Sequence, residues 1–301
     1  MRRPVTGPKT LRRLPDGVEP CRPTRFSLTP VGITLGAHVD DVDLAEPCDD
    51  ELLDELRRAL LEWKVLFFSD QHLPPQQHAD FAARWGVLTD DQLEPTTREN
   101  PADNLVVFTR DAGTPGLENG WHSDSTFRPM PTAGTILRAI EVPPAGGDTL
   151  FADMAAAYDD LPAVVRARLR GLVAVHDWSI GAYATKYGDR LDRVRAANPP
   201  VEHPVAIRHP ATGRPTLFVN RMFTREITGL PPDEADALLD LLCAQAELPE
   251  LQCRFAWRAG SVAFWDNVAC QHYGASDYHP ARRVMARATF FDPRYTELAP
   301  A

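Results

Sequence analysis

The chain has 301 residues, 44 % of them hydrophobic, and its 32 basic and 42 acidic side chains leave a formal charge of −10. An acidic surface argues against a nucleic-acid partner, and no apolar run reaches the roughly 18 residues that a membrane span needs. The cysteines (Cys21, Cys48, Cys243, Cys253, Cys270) are odd in number and contain no CxxC pair. That argues against a disulfide scaffold or a thiolate zinc site and for the reducing cytoplasm.

Residues 1–25 carry Arg2, Arg3, Lys9, Arg12, Arg13, Arg22 and Arg25 among five prolines and lack the apolar stretch of a secretory signal. They read as a flexible basic tail, and residues 26–301 read as a single domain. Phe26 to His38 alternates as a strand, interrupted by Gly32 and Gly36. Asp49-Asp50 caps a helix running to Trp63, with Leu52, Leu53, Leu56, Leu60 and Leu61 at helical spacing and acids in the first turn. Val65-Leu66-Phe67-Phe68 reads as a buried strand. Pro74-Pro75 opens a second helix with His78, Phe81 and Trp85, ended by Gly86. Residues 89–120 are polar and turn-rich around one strand, Leu105 to Thr109.

Short strands then recur at Ile136–Val142, Thr149–Ala152, Val205–Arg208, Thr216–Asn220, Cys253–Trp257, Ser261–Trp265 and Val284–Phe291. Helical inserts at Ala155–Leu172 and Asp233–Ala246 break the series. Many short strands with Gly and Pro turns predict an antiparallel sandwich, and a jelly roll brings distant strand ends to one mouth. The fold class is therefore mainly β with helical inserts.

Against that background, Trp121-His122-Ser123-Asp124 is answered far downstream by Gln271-His272-Tyr273. On a strand, His122 and Asp124 point the same way because side chains alternate with period two. A second imidazole, His272, from a distant strand completes the set of two His and one carboxylate that binds iron(II) and leaves positions open. Alone, a His-x-Asp is weak, since nine histidines are present. Arg283 and Arg287 strengthen it. They stand 11 and 15 residues after His272, on one face of a continuous strand, and arginine grips carboxylates bidentately. A carboxylate clamp so near a metal ligand suggests an anionic co-substrate that chelates the metal at its other end.

The blocks WHSDSTF (121–127), GGDTLFADM (146–154), LFVN (217–220), FWDNVACQHYGASDY and RRVMARATF (264–290) resemble the TauD/TfdA family, the taurine dioxygenase-like iron(II)- and 2-oxoglutarate-dependent dioxygenases. The resemblance runs in order from about residue 26 to 292. It implies a double-stranded β-helix, or jelly-roll, core. It also implies Fe(II) as cofactor with 2-oxoglutarate and O2 as co-substrates. His122, Asp124 and His272 would ligate iron. Thr149 and Arg283 would hold the distal carboxylate of 2-oxoglutarate, and Arg287 a substrate anion or the other carboxylate. The implied reaction oxidises a small organic substrate by hydroxylation, desaturation or fragmentation while 2-oxoglutarate is decarboxylated to succinate and CO2. Family halogenases lack the metal carboxylate, so Asp124 disfavours halogenation.

Where taurine enzymes carry a sulfonate-holding histidine, this chain has Asp91, whose carboxylate repels a sulfonate and could pair with an amino group. Asn119, Trp178 and Phe223 are further substrate-site candidates, and 177–200 is the expected lid. Taurine, alkylsulfonate or alkyl sulfate oxidation is an alternative reading within the class. A catalytically silent jelly-roll binding protein and a zinc hydrolase are readings outside it. The intact ligand set argues against the first, and Thr149 with Arg283, which a hydrolase does not require, against the second. Relatives commonly form dimers or tetramers, so a homo-oligomer is compatible with the sequence.

Overall fold

The computed structural model describes residues 7–89, 93, 104–295 and 298–301. Its first half comprises β1 (Ser27–Pro30), β2 (Ala37–Asp40), α1 (Asp50–Trp63), β3 (Val65–Phe68), α2 (Pro75–Ala83), β4 (Val87–Thr89), β5 (Val106–Arg110), β6 (Gly134–Glu141), β7 (Thr149–Asp153), α3 (Met154–Asp160) and α4 (Ala163–Leu169). There follow β8 (Val173–His176), α5 (Leu191–Ala197), β9 (Val201–Pro204), β10 (Ala206–Arg208), β11 (Pro215–Leu217), β12 (Thr224–Ile227), α6 (Pro232–Cys243), β13 (Gln252–Phe255), β14 (Val262–Asp266), β15 (Cys270–Gly274) and β16 (Arg283–Phe291).

The large sheet runs β1-β2-β3-β14-β6-β16-β4, with β5 also on β16. Opposite it lies the small sheet β13-β7-β15. A third sheet, β12-β8-β9, and the pair β10-β11 complete the set. This is the mainly β, jelly-roll architecture expected from the strand spacing. Between the sheets a buried layer joins Phe67, Phe151, Phe255, Trp257, Trp265 and Met285. Phe67 and Phe255 stack at 4.2 Å with nearly parallel rings.

The outer face of the large sheet is covered by α1 and α2. Leu53, Leu56, Trp63, Phe81 and Trp85 pack there with Phe264, Ala286 and Phe290. α1 forms where the sequence places it because Asp49 caps it, its carboxylate accepting from the Leu52 amide at 2.8 Å. The helix ends at Lys64, in the left-handed region at φ 61. The Nζ of Lys64 donates to the carbonyls of Arg13, Thr34 and Glu62 and lies 3.0 Å from Asp153 Oδ2.

Several expectations are corrected. The single strand over 26–38 is two antiparallel strands, β1 and β2. The chain turns between them at Gly36, whose φ is +85 and where a Cβ would stand 2.8 Å from Cys253 Sγ. The one helix over 155–172 is two, because Pro162 holds Leu161 extended at ψ 142. Over residues 7–25, the segment read as a flexible tail is fastened to the body. Lys9 pairs with Asp160, Arg13 with Glu62 at 2.7 Å, and Arg214 donates to the Arg13 carbonyl at 2.7 Å.

Candidate active site

His272 sits at the centre of β15, paired with Phe151 of β7. His122 meets it through an isolated antiparallel bridge, the two residues exchanging backbone hydrogen bonds of 3.0 and 2.8 Å. The strand expected under His-x-Asp is absent: one bridge residue is followed at once by a turn over 124–127, with Ser125 at φ 56. The two side chains converge nonetheless, because the turn is pinned. Ser123 Oγ donates to the Cys270 carbonyl at 2.9 Å, and the Asp124 amide donates to Asn267 Oδ1 at 3.4 Å.

The buried side chains of His122, Asp124 and His272 bring one ligand atom each to within 4.8 Å of the others. Nδ1 of His122 lies 2.7 Å from the Gly120 carbonyl. That nitrogen carries the hydrogen, so Nε2 keeps its lone pair. Nε2 of His122 and of His272 stand 3.8 and 3.7 Å from one oxygen, Oδ1 of Asp124. Those separations are too long for hydrogen bonds and leave the three ligand atoms facing one another across a small gap. The other carboxylate oxygen, Oδ2, accepts from Thr135 Oγ1 at 2.9 Å. Thr135 Oγ1 in turn accepts from Asn267 Nδ2 at 2.9 Å.

Burial, with the neighbouring His122, pushes His272 down to about 3, so it stands as a neutral imidazole, the ligating form. Burial opposes ionisation of Asp124, but His272, Arg287 and His122 together hold its carboxyl below the usual range. Nη1 of Arg287 lies 3.9 Å from Asp124 Oδ1. Two imidazoles and one carboxylate, buried and aimed at one point, fit a divalent transition metal with open positions.

Arg283 and Arg287 both belong to β16, which pairs without interruption with β5 across this stretch, Arg283 opposite Arg110 and Arg287 opposite Val106. The irregularity in pairing with β6 lies between Val284 and Met285, yet the face is kept. Met285 lies in the layer between the sheets, while Ala286 and Ala288 pack on the outer face. The even spacing read from sequence therefore holds. Four residues of strand set the two Cα atoms roughly 13 Å apart, one arginine beside the triad and one deeper along the sheet.

Arg283 is buried, and its Nε has no hydrogen-bond partner among the described residues. Thr149, buried at the start of β7, accepts from the indole N–H of Trp257 at 3.0 Å, which leaves the hydroxyl hydrogen for another acceptor. The same Trp257 ring lies 5.8 Å from the guanidinium carbon of Arg283. One tryptophan thus links the two residues expected to share a carboxylate. Neither Trp257 nor Thr135 carries a motif in the sequence. Their parts depend on contacts across the sheets, which leave no local spacing signal.

Phe223 stands edge-on to His122, ring centres 5.9 Å apart, and to Phe127 at 4.8 Å. Trp178 is sealed in the same cluster as Phe127, Phe223 and Tyr187, its indole donating to the Asn198 carbonyl at 2.9 Å. It packs one ring away from Phe223, the residue that meets His122. Asn119 is exposed, three residues before His122. Asp91 lies outside the described residues.

The family model for "Taurine catabolism dioxygenase TauD, TfdA family" matches residues 24–289. An alkylsulfatase of Acinetobacter baylyi is 32 % identical, covering 85 % of this chain and 81 % of the relative. The alpha-ketoglutarate-dependent 2,4-dichlorophenoxyacetate dioxygenase of Cupriavidus pinatubonensis is 33 % identical, covering 87 % of this chain and 96 % of the relative. Among solved structures, a taurine dioxygenase from Burkholderia xenovorans superposes with TM-score 0.76 at 32 % identity, covering 92 % of this chain and 97 % of the other.

Proposed function

The chain belongs to the TauD, TfdA family and is an Fe(II)- and 2-oxoglutarate-dependent dioxygenase, and from that premise we propose that His122, Asp124 and His272 hold its iron. The convergence of their three ligand atoms within 4.8 Å carries this reading. Iron(II) bound there supplies the centre at which 2-oxoglutarate decarboxylation and O2 reduction are coupled to oxidation of the substrate.

The chain's own residues do the rest. Gly120 fixes the tautomer of His122, and Thr135 turns Asp124 so that Oδ1, on the side of the two imidazoles, would be the oxygen offered to the iron. Arg283 and the free hydrogen of Thr149 receive the distal carboxylate of 2-oxoglutarate, a burial tolerable only because a fixed cation meets it. Arg287 serves the metal end, gripping the anionic group of the substrate or the second carboxylate of 2-oxoglutarate. Phe223 walls the metal side with an apolar edge and helps exclude water.

An arginine beside the triad and an aromatic wall on His122 favour a small organic anion with an apolar body. Named relatives act on a dichlorophenoxyacetate and, as an alkylsulfatase, on alkyl sulfates, and this substrate falls in that chemical range. One catalytic domain from residue 26 onward carries the activity, with the basic segment before it fastened alongside. No helix among the described residues is long and apolar enough to cross a membrane, and five free thiols suit a reducing cytoplasm.

Succinate release from 2-oxoglutarate by the iron(II)-loaded protein tests the reading. The substrate panel spans alkyl sulfates, aryloxyalkanoates, sulfonates including taurine, and amino acids. Stimulation by an anionic, apolar class is expected. Stimulation by cationic or neutral compounds alone would overturn the substrate assignment.

A further inference from the structure

Arg283 is gripped by more than its strand. Its guanidinium carbon lies 5.8 Å from the ring centre of Trp257 and 5.7 Å from that of Tyr278, so both rings are within cation–π reach. Burial pushes Tyr278 above the ordinary phenol range, so its ring faces the guanidinium as a neutral phenol.

The loop carrying Tyr278 is clasped onto the Gly146-Gly147 turn that precedes Thr149. The Gly147 amide donates to Asp277 Oδ1 at 2.8 Å, and the Ala275 amide to the Asp148 carbonyl at 2.9 Å. Gly147 has φ +75, and a Cβ on it would stand 3.1 Å from the Tyr278 ring and 3.4 Å from Cδ and Nε of Arg283. Any side chain at 147 would thus meet both the Tyr278 ring and the guanidinium stem, four residues of strand away from Arg287 and the triad. Glu118, the acid whose charge bears on both Arg283 and Tyr278, is engaged by Arg110 in a salt bridge. That engagement leaves Arg283 its charge for a ligand.

We propose that Tyr278 is a positioning residue for the co-substrate: with Gly147 it forms the end wall behind Arg283, steadies the guanidinium, and limits the co-substrate to a 2-oxo dicarboxylate of five carbons. The inference rests on the reading that Arg283 receives the distal carboxylate.

The test compares Tyr278→Leu, Tyr278→Ala and Arg283→Gln with the native protein. Calorimetry measures the affinity of the Mn(II)-loaded proteins for 2-oxoglutarate and for 2-oxoadipate, one methylene longer, with no turnover. Tyr278→Leu, which removes the ring beside the guanidinium and keeps an apolar side chain, should weaken 2-oxoglutarate binding about two- to fivefold and raise KM alike with kcat within about twofold. Tyr278→Ala should reduce the preference for 2-oxoglutarate over 2-oxoadipate at least about tenfold. If Tyr278→Ala does not fold, Tyr278→Leu decides the matter on affinity. Unchanged affinity and chain-length preference in variants that melt and bind Mn(II) normally, with Arg283→Gln weakened, would overturn this proposal alone. Unchanged affinity in Arg283→Gln would instead overturn the underlying assignment of Arg283.

Discussion

The hydroxyl of Thr135 donates to Oδ2 of Asp124 at 2.9 Å and so turns the other oxygen, Oδ1, toward both imidazoles. Thr135 is itself held by Asn267, which accepts from the Trp265 indole at 2.8 Å. A chain of buried hydrogen bonds therefore reaches from the core to the metal carboxylate. Partners of this kind orient a ligand before the ion arrives.

Thr135→Val keeps the shape and removes the donor. Divalent-metal affinity, measured by competition with a chelator, should fall roughly 10- to 100-fold, with the melting profile little changed. Native affinity in this variant would show that Asp124 is oriented by other means.

Asp124→Ala removes the only carboxylate of the triad and leaves two imidazoles beside Arg287. Coupled succinate release should be lost, and the purified protein should retain little iron, while circular dichroism stays native. Product formation at the native yield would sink the assignment of the triad.

Lys64→Met tests the buried pair behind the site. Lys64 is almost wholly buried, 3.0 Å from Asp153, and Asp153 caps α3 through the amides of Ala155 and Ala156. Removing the cation leaves a buried carboxylate uncompensated, at a cost of about 3–5 kcal/mol. Urea unfolding should show it. A loss below about 1 kcal/mol would mean that solvent reaches Asp153.

His78, fully buried in α2 beside the Ile136 carbonyl, is pushed down to about 4 by burial. The unfolded chain takes up that proton near pH 6.5. Between those two values the unfolded state binds more protons, so stability falls as pH is lowered from about 6.5 toward 4. Between pH 7 and pH 5 the native protein should lose about 2 kcal/mol more than His78→Leu. Parallel losses in urea titrations at the two pH values would refute a buried neutral His78.

Much was legible in the linear chain. The capped leucine pattern of α1, the buried run of β3 and the strands of the second half stand close to where periodicity put them, because those signals are local. The even spacing of Arg283 and Arg287 held because β16 remains a continuous strand through both. The ligand types were legible too, since few residues other than two His and a carboxylate make that donor set.

What the tertiary structure alone decided is how those residues meet. His122 and Asp124 converge through a single bridge and a pinned turn, not through a strand. Trp257 reaches Thr149 across 108 residues of separation and so links it to Arg283, and the N-terminal segment, which composition reads as loose, is fastened by Glu62, Asp160 and Arg214. The physical reason is the same in each case. Residue type and period constrain neighbours a few positions apart, whereas these contacts join elements far apart in sequence. They form only when sheet order and register bring the partners to one place.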